Sequence, residues 1–262
     1  MSQYQEKATV TRVEQFSDLH YRLTFDSPLI SASARPGQFV MVRTGFGKDP
    51  LLRRPFSIHQ TSGDGRLQLY FKVVGMGTDI LSQAKKGERV SIFGPLGRGY
   101  RIDSLAPSVI VGGGLGIAPL LFLVKENCRI KKAIGEDIII LGARQKAELQ
   151  PLLADFKHFG LPLFTATDDG SLGHHGFVTE VFESLEMPEK SIVYCCGPEP
   201  MMDGIRQLCK AQGLACQVSV ESVMACGMGA CLACAVPDRG DPKRYRHACL
   251  HGPVFDAREV VI

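Results

Sequence analysis

The sequence lacks the features that mark several large classes of protein. It contains no block of lysine or arginine and its formal net charge is only +3, so no nucleic-acid partner is expected. No His-Glu-x-x-His motif and no Ser/His/Asp arrangement stands out, and no pair of carboxylates is placed for general acid–base catalysis. Internal repeats and low-complexity tracts are also missing. Hydrolytic chemistry and a repeat architecture are therefore not expected.

An apolar secretion signal and a uniform membrane span are missing as well. Residues 1–10 are polar. Residues 104–124 are uncharged and long enough to span a membrane, but glycines and prolines interrupt them. A buried strand, a glycine turn and a buried helix explain this stretch better. We expect a cytoplasmic protein without a membrane partner.

Cysteine is more plentiful, and its distribution is uneven. The chain has 262 residues, of which 9 are cysteine. An odd number without a secretion signal argues against a disulfide framework. Four cysteines lie within the last forty residues. Apolar residues make up 45% and charged residues 22%, which is typical of a globular protein and excludes disorder as the main state.

The pattern of apolar runs divides the chain into three parts. Short apolar runs separated by turn signals fill the first hundred residues, which predicts an antiparallel barrel with one short helix at 78–84. Strands and helices then alternate, which predicts a doubly wound parallel sheet. Its strands are expected at 108–111, 137–141, 163–166, 192–195 and 216–220. A small cysteine-rich module follows, so we expect domains at 1–103, 104–220 and 221–262.

The strongest motif is Cys226-x4-Cys231-x2-Cys234, completed by Cys249. This spacing is that of plant-type [2Fe–2S] ligands. Three thiolates must come from one tight loop, and Gly227 and other small residues let that loop wrap closely around the cluster. Four thiolates also suit a structural zinc ion, which is the alternative, although zinc loops usually carry C-x2-C on both sides.

Two further motifs lie in the predicted α/β domain. Gly113, Gly114 and Gly116 connect a strand to a helix, where glycines let the backbone approach a pyrophosphate. A turn that only packs the helix on the strand is the alternative. Cys196-Gly197-Pro198 ends the fourth strand, at the sheet edge where ligands bind. Cys196 is placed to face a nicotinamide ring, or is merely a small buried thiol.

The remaining motifs are weaker when taken singly. Arg54 is suited to pair with a phosphate, and the Gly77-Thr78 turn to hold another. A surface arginine pair and an ordinary β-turn explain them equally well. Asp168-Asp169 follows the third α/β strand, where an acid binds a ribose hydroxyl and favours NAD over NADP. Capping of a turn is the alternative for these two carboxylates.

Taken together, these motifs resemble the ferredoxin–NADP reductase superfamily, which pairs an FAD-binding barrel with an NAD(P)-binding α/β domain. The segments 221–234 and 247–255 narrow the resemblance to the electron-transfer subunits of B-type dihydroorotate dehydrogenases, and it covers essentially the whole chain. His251 stands where many relatives carry an acid, and Phe56 replaces a smaller aliphatic residue. Since His251 lies near the predicted cluster, it is expected to alter potential or interface charge more than ligation.

The resemblance implies a role for each matching position. Cys196 would be the catalytic residue at the nicotinamide. The FAD-binding residues would be Arg54, Pro55, Phe56, Ser57, Tyr70, Phe71, Lys72, Gly77 and Thr78. The NAD-binding residues would be Gly113, Gly114, Gly116, Gly197 and Pro198. The cluster ligands would be Cys226, Cys231, Cys234 and Cys249.

The resemblance also implies a function and a partner. A separate FMN-containing subunit would oxidise dihydroorotate in pyrimidine biosynthesis, in a heterotetramer of two plus two chains. Electrons would pass through the [2Fe–2S] cluster and FAD to NAD⁺. A related NAD(P)H–acceptor reductase subunit of a hydrogenase, sulfite reductase or transhydrogenase complex shares every motif and is the first alternative. A zinc-stabilised nucleotide-sensing or interaction protein is the second.

Overall fold

The computed structural model describes residues 2–45, 49–131 and 136–262. It divides the chain into two compact units. The first contains the chain up to Gly99 together with Glu221–Val236 and Tyr245–Pro253. The second contains Tyr100–Val220, Pro237–Arg244 and Val254–Ile262. The residues after Val220 are thus shared between the two units. The three domains expected from the sequence, 1–103, 104–220 and 221–262, stay a prediction.

The first unit is built on an antiparallel seven-stranded sheet, as predicted. Its strands are β1 (Tyr4–Gln15), β2 (His20–Asp26), β3 (Phe39–Arg43), β4 (Arg54–Ser57), β5 (Gln60–Thr61), β6 (Arg66–Lys72) and β7 (Arg89–Leu96), and its helices are α1 (Pro28–Ser33) and α2 (Met76–Ser82). The order across the sheet is β4-β3-β7-β1-β2-β6-β5. Rings from β4 and β6, near opposite ends of this order, meet at Phe56 and Phe71 with centroids 5.5 Å apart, so the sheet curls into a partial barrel.

Strand β4 is hard to recognise in the sequence, because it is short and contains Pro55. Proline removes a backbone donor and is normally kept out of central strands. Here β4 is the edge of the sheet and pairs only with β3 among the described strands, so the missing N–H is tolerated. The motif Arg54–Ser57 therefore lies on a strand rather than in a loop.

The second unit contains the predicted parallel sheet. Its elements are β8 (Ser108–Gly113), a 3-10 turn (Gly114–Ile117), α3 (Leu120–Ile130), β9 (Ile138–Ala143), α4 (Lys146–Lys157), β10 (Leu163–Thr167), β11 (His174–His175), α5 (Val178–Ser184), β12 (Ile192–Cys196), α6 (Glu199–Gln212) and β13 (Ala215–Ser219). The order is β11-β10-β9-β8-β12-β13, with β16 (Val254–Asp256) added antiparallel to β13. The strand order reverses between β8 and β12, which is the ligand-binding crevice of such sheets.

The helices of this unit bury apolar faces, and one of them, α4, contains a proline in its interior. Leu149, Leu152, Leu153 and Phe156 form the buried face of α4, which begins at Lys146 and contains Pro151. Proline is normally found at a helix start, yet here it lies inside the helix, in its second turn. None of the helices in the described ranges combines the length and apolar character that a membrane span needs.

A last pair of short strands, β14 (Ala235–Pro237) and β15 (Tyr245–His247), completes the secondary structure. Within the first unit, the segment that returns after Cys249 packs on the end of β7. Gly97 there has a φ of +73°, and a Cβ on it would lie 2.6 Å from the carbonyl oxygen of Gly252. The backbone N–H of Arg98 donates to the same oxygen. These contacts attach the cysteine-bearing segments to the partial barrel.

Candidate cofactor sites

The structure brings Arg54 and Gly77 of the predicted FAD site together. A Cβ on Gly77 would lie 3.1 Å from Cγ and 3.2 Å from Nε of Arg54. The same Cβ would lie 3.1 Å from the hydroxyl of Thr44, a residue that the sequence motifs do not single out. Thr78, one residue further, uses its hydroxyl to cap the start of α2, where it accepts from the N–H groups of Val74 and Gly75. The site thus joins a guanidinium group, a hydroxyl and a glycine without a side chain.

The two adjacent arginines of this region, Arg53 and Arg54, have different hydrogen-bond partners. Arg53 donates through Nη1 to the carbonyl oxygen of Ser91 at 2.8 Å and through Nη2 to the Ser91 hydroxyl at 3.0 Å. Burial, followed by repulsion from Arg43, lowers the pKa of Arg53. Arg54 instead donates to the carbonyl oxygen of Leu52 and lies at the site. Arg53 therefore ties β4 to β7, and this leaves Arg54 as the cation for a ligand.

The predicted flavin-lining residues on β6 point to two faces of the strand. Phe71 meets Phe56 and also stacks on Tyr21, whose ring centroid is 6.0 Å away. Tyr70 lies among other rings, with centroid distances of 6.1 Å to His20 and 5.9 Å to His59. Adjacent strand residues alternate in direction. A ligand on one face therefore meets the side chain of only one of these two, together with the backbone of 70–72.

The glycines of the predicted NAD site gather between β8 and β12, although most of them are needed by the protein itself. A Cβ on Gly116 would lie 2.5 Å from the carbonyl oxygen of Cys196, and one on Gly113 would overlap the sulfur of Met201. A Cβ on Gly197 would lie 2.5 Å from Cε of Met201. The packing alternative thus accounts for these three positions, with Pro198 as a further neighbour of Gly113.

Gly114 is the exception, and it suits a ligand. Its φ is +54°, and a Cβ on it would meet nothing within 4 Å. It lies at the carboxyl end of β8, where the strand order reverses, so its backbone is open to an approaching phosphate. Cys196 ends the neighbouring strand and is only 4% exposed, and its role at a nicotinamide stays a prediction.

The acidic pair after β10 is engaged in its own turn. Oδ1 of Asp169 accepts from the N–H and the hydroxyl of Ser171, at 3.0 and 2.6 Å. The hydroxyl bond is the main reason that the pKa of Asp169 is lowered. This geometry supports the capping alternative for Asp169. The choice of NAD over NADP therefore has no support from that carboxylate.

The four cysteines of the strongest motif form two pairs. Sγ of Cys234 and Cys249 are 3.2 Å apart, and Cys226 and Cys231 are joined by a thiol hydrogen bond. Backbone N–H groups of Met228 and Cys231 donate to Sγ of Cys226 at 3.4 Å, and the N–H of Cys249 donates to Sγ of Cys234 at 3.5 Å. Gly227 and Gly229 have φ values of +71° and +84°, which bend the loop around these sulfurs.

Cys226 and Cys249, one from each pair, differ in acidity. Burial raises the pKa of Cys226, but backbone N–H donors, Met228 first, outweigh it and bring that pKa down to about 6. Burial and the bond with Cys234 raise the pKa of Cys249 to about 12. The lowered pKa favours the thiolate of Cys226, whereas the raised pKa of Cys249 favours its thiol until a metal displaces the proton.

This arrangement fits two iron atoms better than one zinc ion. Each iron of a [2Fe–2S] cluster takes two thiolates, which matches the two cysteine pairs. The pairs are close to each other, because the charge of Cys226 helps to raise the pKa of Cys249. The N–H donors aimed at sulfur are the contacts that tune such a cluster.

Comparison with known proteins defines the class first. Residues 7–100 match the oxidoreductase FAD-binding domain, and residues 110–207 match the oxidoreductase NAD-binding domain. The chain is thus a flavin- and nicotinamide-dependent oxidoreductase. Residues 221–261 match the iron–sulfur cluster binding domain of dihydroorotate dehydrogenase B. The predicted cofactors, FAD, NAD and a [2Fe–2S] cluster, are confirmed by these domains.

The full-length relatives then define the family. The chain is 44% identical to the dihydroorotate dehydrogenase B (NAD(+)) electron transfer subunit of Desulforamulus reducens, over 97% of both chains. It is 36% identical to the subunit of the same name from Geobacillus thermodenitrificans, over 98% of both. The chain belongs to the family of dihydroorotate dehydrogenase B electron transfer subunits. This confirms the resemblance found in the sequence.

One solved structure is also similar over the whole chain. It is a chain of an NADH-dependent reduced ferredoxin–NADP oxidoreductase, described for flavin-based electron bifurcation. The TM-score is 0.86 at 30% identity, with 98% of this chain and 90% of that chain covered. A similar fold therefore occurs in a second kind of electron-transfer protein.

Proposed function

We propose that this chain carries electrons between a dihydroorotate-oxidising FMN subunit and NAD⁺, in a cytoplasmic complex of two plus two chains that serves pyrimidine biosynthesis. Dihydroorotate would lose two electrons and two protons on the partner, and NAD⁺ would gain a hydride. The observation that carries the proposal is the cysteine segment, with its two thiol pairs and its match to the iron–sulfur domain of dihydroorotate dehydrogenase B.

The proposal assigns the groups to the three segments predicted from the sequence. When bound, FAD exchanges one or two electrons, the cluster passes single electrons and NAD⁺ takes a hydride. In segment 1–103, Arg54 and the backbone at Gly77 would hold the FAD diphosphate. Pro55, Phe56, Ser57, Thr78 and Tyr70–Lys72 would line its other parts.

In segment 104–220, Gly114 would let the NAD pyrophosphate approach the backbone. Gly113, Gly116, Gly197 and Pro198 would hold the turn that presents it, and Cys196 would lie at the nicotinamide. In segment 221–262, Cys226 and Cys231 would bind one iron, and Cys234 and Cys249 the other. The protein's contribution is to bind, orient and exclude water, because the cofactors supply the redox chemistry.

The test is a purification of the tagged full chain from its own cells without oxygen. We expect a brown complex with an FMN-bearing partner that reduces NAD⁺ when dihydroorotate is added. A Cys231→Ser variant should lose iron and this activity. Cys128→Ser is the matched control, since Cys128 lies on α3 in the second unit and should change neither.

A second candidate function is a subunit of another NAD(P)H–acceptor reductase. The similarity to the ferredoxin–NADP oxidoreductase chain favours it, at lower identity than the dihydroorotate dehydrogenase relatives. A brown complex with a different partner and no response to dihydroorotate would establish this alternative. A colourless protein that contains zinc would contradict both candidates.

A further inference from the structure

Thr44 carries a buried polar atom that no described residue satisfies. The residue directly follows β3 and is 5% exposed. Among residues 2–45, 49–131 and 136–262, its hydroxyl oxygen has no hydrogen-bond partner. Burying a hydroxyl without a partner is costly, and such groups in a native fold require an explanation. A ligand that binds beside Thr44 would supply one.

The surroundings of this hydroxyl identify where the ligand would lie. The position that a Cβ of Gly77 would occupy is 3.1 Å from the Thr44 hydroxyl and 3.2 Å from Nε of Arg54. Both donors thus lie close to the same point beside Gly77, and they are separated by at most about 6 Å. One acceptor oxygen can bridge such a separation with two hydrogen bonds of about 3 Å. A side chain at position 77 would crowd both donors, whereas glycine leaves them room to turn toward a ligand.

The chemistry of the donors indicates which chemical group of the ligand lies beside them. Guanidinium groups match phosphate oxygens in charge and geometry, whereas a flavin ring or a ribityl hydroxyl needs no cation. A hydroxyl donor strengthens such a site, because hydrogen bonds to charged groups are stronger than neutral ones. The oxygen that fits between Thr44 and Arg54 is thus an anionic one.

We propose that the hydroxyl of Thr44 donates a hydrogen bond to a phosphate oxygen of the FAD diphosphate, next to Arg54. This inference rests on the proposed FAD site. It adds a binding residue that lies ten positions before the Arg54–Ser57 motif, in a segment without a motif of its own. Thr44 is then a determinant of FAD affinity, and it does not hold the protein fold together.

The experiment measures FAD binding to the FAD-depleted full chain by fluorescence titration. Thr44→Val keeps the shape of the side chain and removes only the hydrogen-bonding group. We expect its dissociation constant for FAD to rise about tenfold, as the loss of one charge-assisted hydrogen bond predicts. Riboflavin, which has no phosphate, should bind the variant and the wild type equally. Thr44→Ser should bind FAD like the wild type.

A second readout separates ligand binding from a structural role. Without FAD, Thr44→Val should unfold at the same temperature as the wild type or higher, because it removes an unsatisfied hydroxyl. Thr11→Val is the matched control. It removes a hydroxyl on β1 that donates to the Thr24 carbonyl oxygen at 3.1 Å, and it should leave FAD affinity unchanged.

Three results would overturn the inference. They are an unchanged FAD affinity in Thr44→Val, an equal loss of riboflavin and FAD binding, and a lower unfolding temperature of the FAD-free variant. If Thr44→Val does not fold, Thr44→Ala against Thr44→Ser isolates the hydroxyl in the same way. A wild-type chain that binds no FAD would instead contradict the proposed function, which keeps the two failures distinct.

Discussion

Glycines lie at both predicted nucleotide sites, but they have different roles at the two sites. At the FAD site, the space beside Gly77 is bordered by the donors Arg54 and Thr44. At the NAD site, the spaces beside Gly113 and Gly116 are filled by Met201 and by the backbone of Cys196. A glycine in a nucleotide-binding motif can therefore make room for the ligand or for the protein's own chain. Only the surroundings of the missing side chain distinguish the two uses.

The largest effect that this comparison predicts is at Gly116. Alanine there would bring its Cβ within 2.6 Å of the backbone of Cys196 and Gly197, where no flexible side chain can move aside. We expect Gly116→Ala to lower the free energy of unfolding by about 3 kcal/mol, the upper range for overpacking. Urea unfolding of the full chain measures it.

Gly114→Ala is the control for that measurement. A Cβ on Gly114 meets nothing within 4 Å, so only the left-handed backbone opposes it. We expect a loss of about 1 kcal/mol. Equal losses at Gly114 and Gly116 would show that close packing does not explain Gly116.

Gly77→Ala should affect the ligand rather than the fold. Its Cβ would lie 3.1 to 3.2 Å from the side chains of Arg54 and Thr44, which can shift. We expect FAD affinity to fall at least tenfold, roughly 1.4 kcal/mol, while urea unfolding without FAD changes little. Gly75→Ala, where a Cβ meets nothing within 4 Å, should retain FAD. An unfolded Gly77→Ala chain would contradict this division between ligand and fold.

The smallest effect is expected at Gly113, where the neighbour is a flexible side chain. A Cβ there overlaps the sulfur of Met201, and an unbranched thioether adapts easily. Gly113→Ala should cost about 1 kcal/mol of unfolding free energy. In the Met201→Ala background the same change should cost less, so a double-mutant cycle would show coupling. Additive losses would mean that Met201 is not the obstacle.

The sequence predicts the architecture and the presence of an iron–sulfur module well, because both rest on local signals. The cysteine spacing identifies a [2Fe–2S] loop, and the strand–helix alternation identifies the parallel sheet. What it misses depends on contacts between distant residues. Pro55 conceals β4, whose edge position appears only in the sheet, and β16 is too short to stand out. For Asp169 the sequence leaves ribose binding and turn capping open, and its bonds to Ser171 favour capping.

Thr44 is a second example of a feature that depends on contacts between distant residues. Nothing in its neighbourhood along the chain marks it, since its significance comes from Gly77 and Arg54 across the fold. The role of each glycine is equally hidden, because a glycine that admits a ligand and one that admits a backbone look identical in a sequence. The pairing of the four cysteines likewise needs the loop geometry.

The most direct test of the account separates the overall reaction from its two halves. In the purified complex, Cys231→Ser should keep dihydroorotate oxidation with an artificial dye on the partner and NADH oxidation with a dye on this chain. The rate of dihydroorotate-dependent NAD⁺ reduction should fall at least a hundredfold, which corresponds to an increase of about 2.7 kcal/mol in the activation free energy. Retention of the overall reaction at the wild-type rate would contradict the proposed electron path.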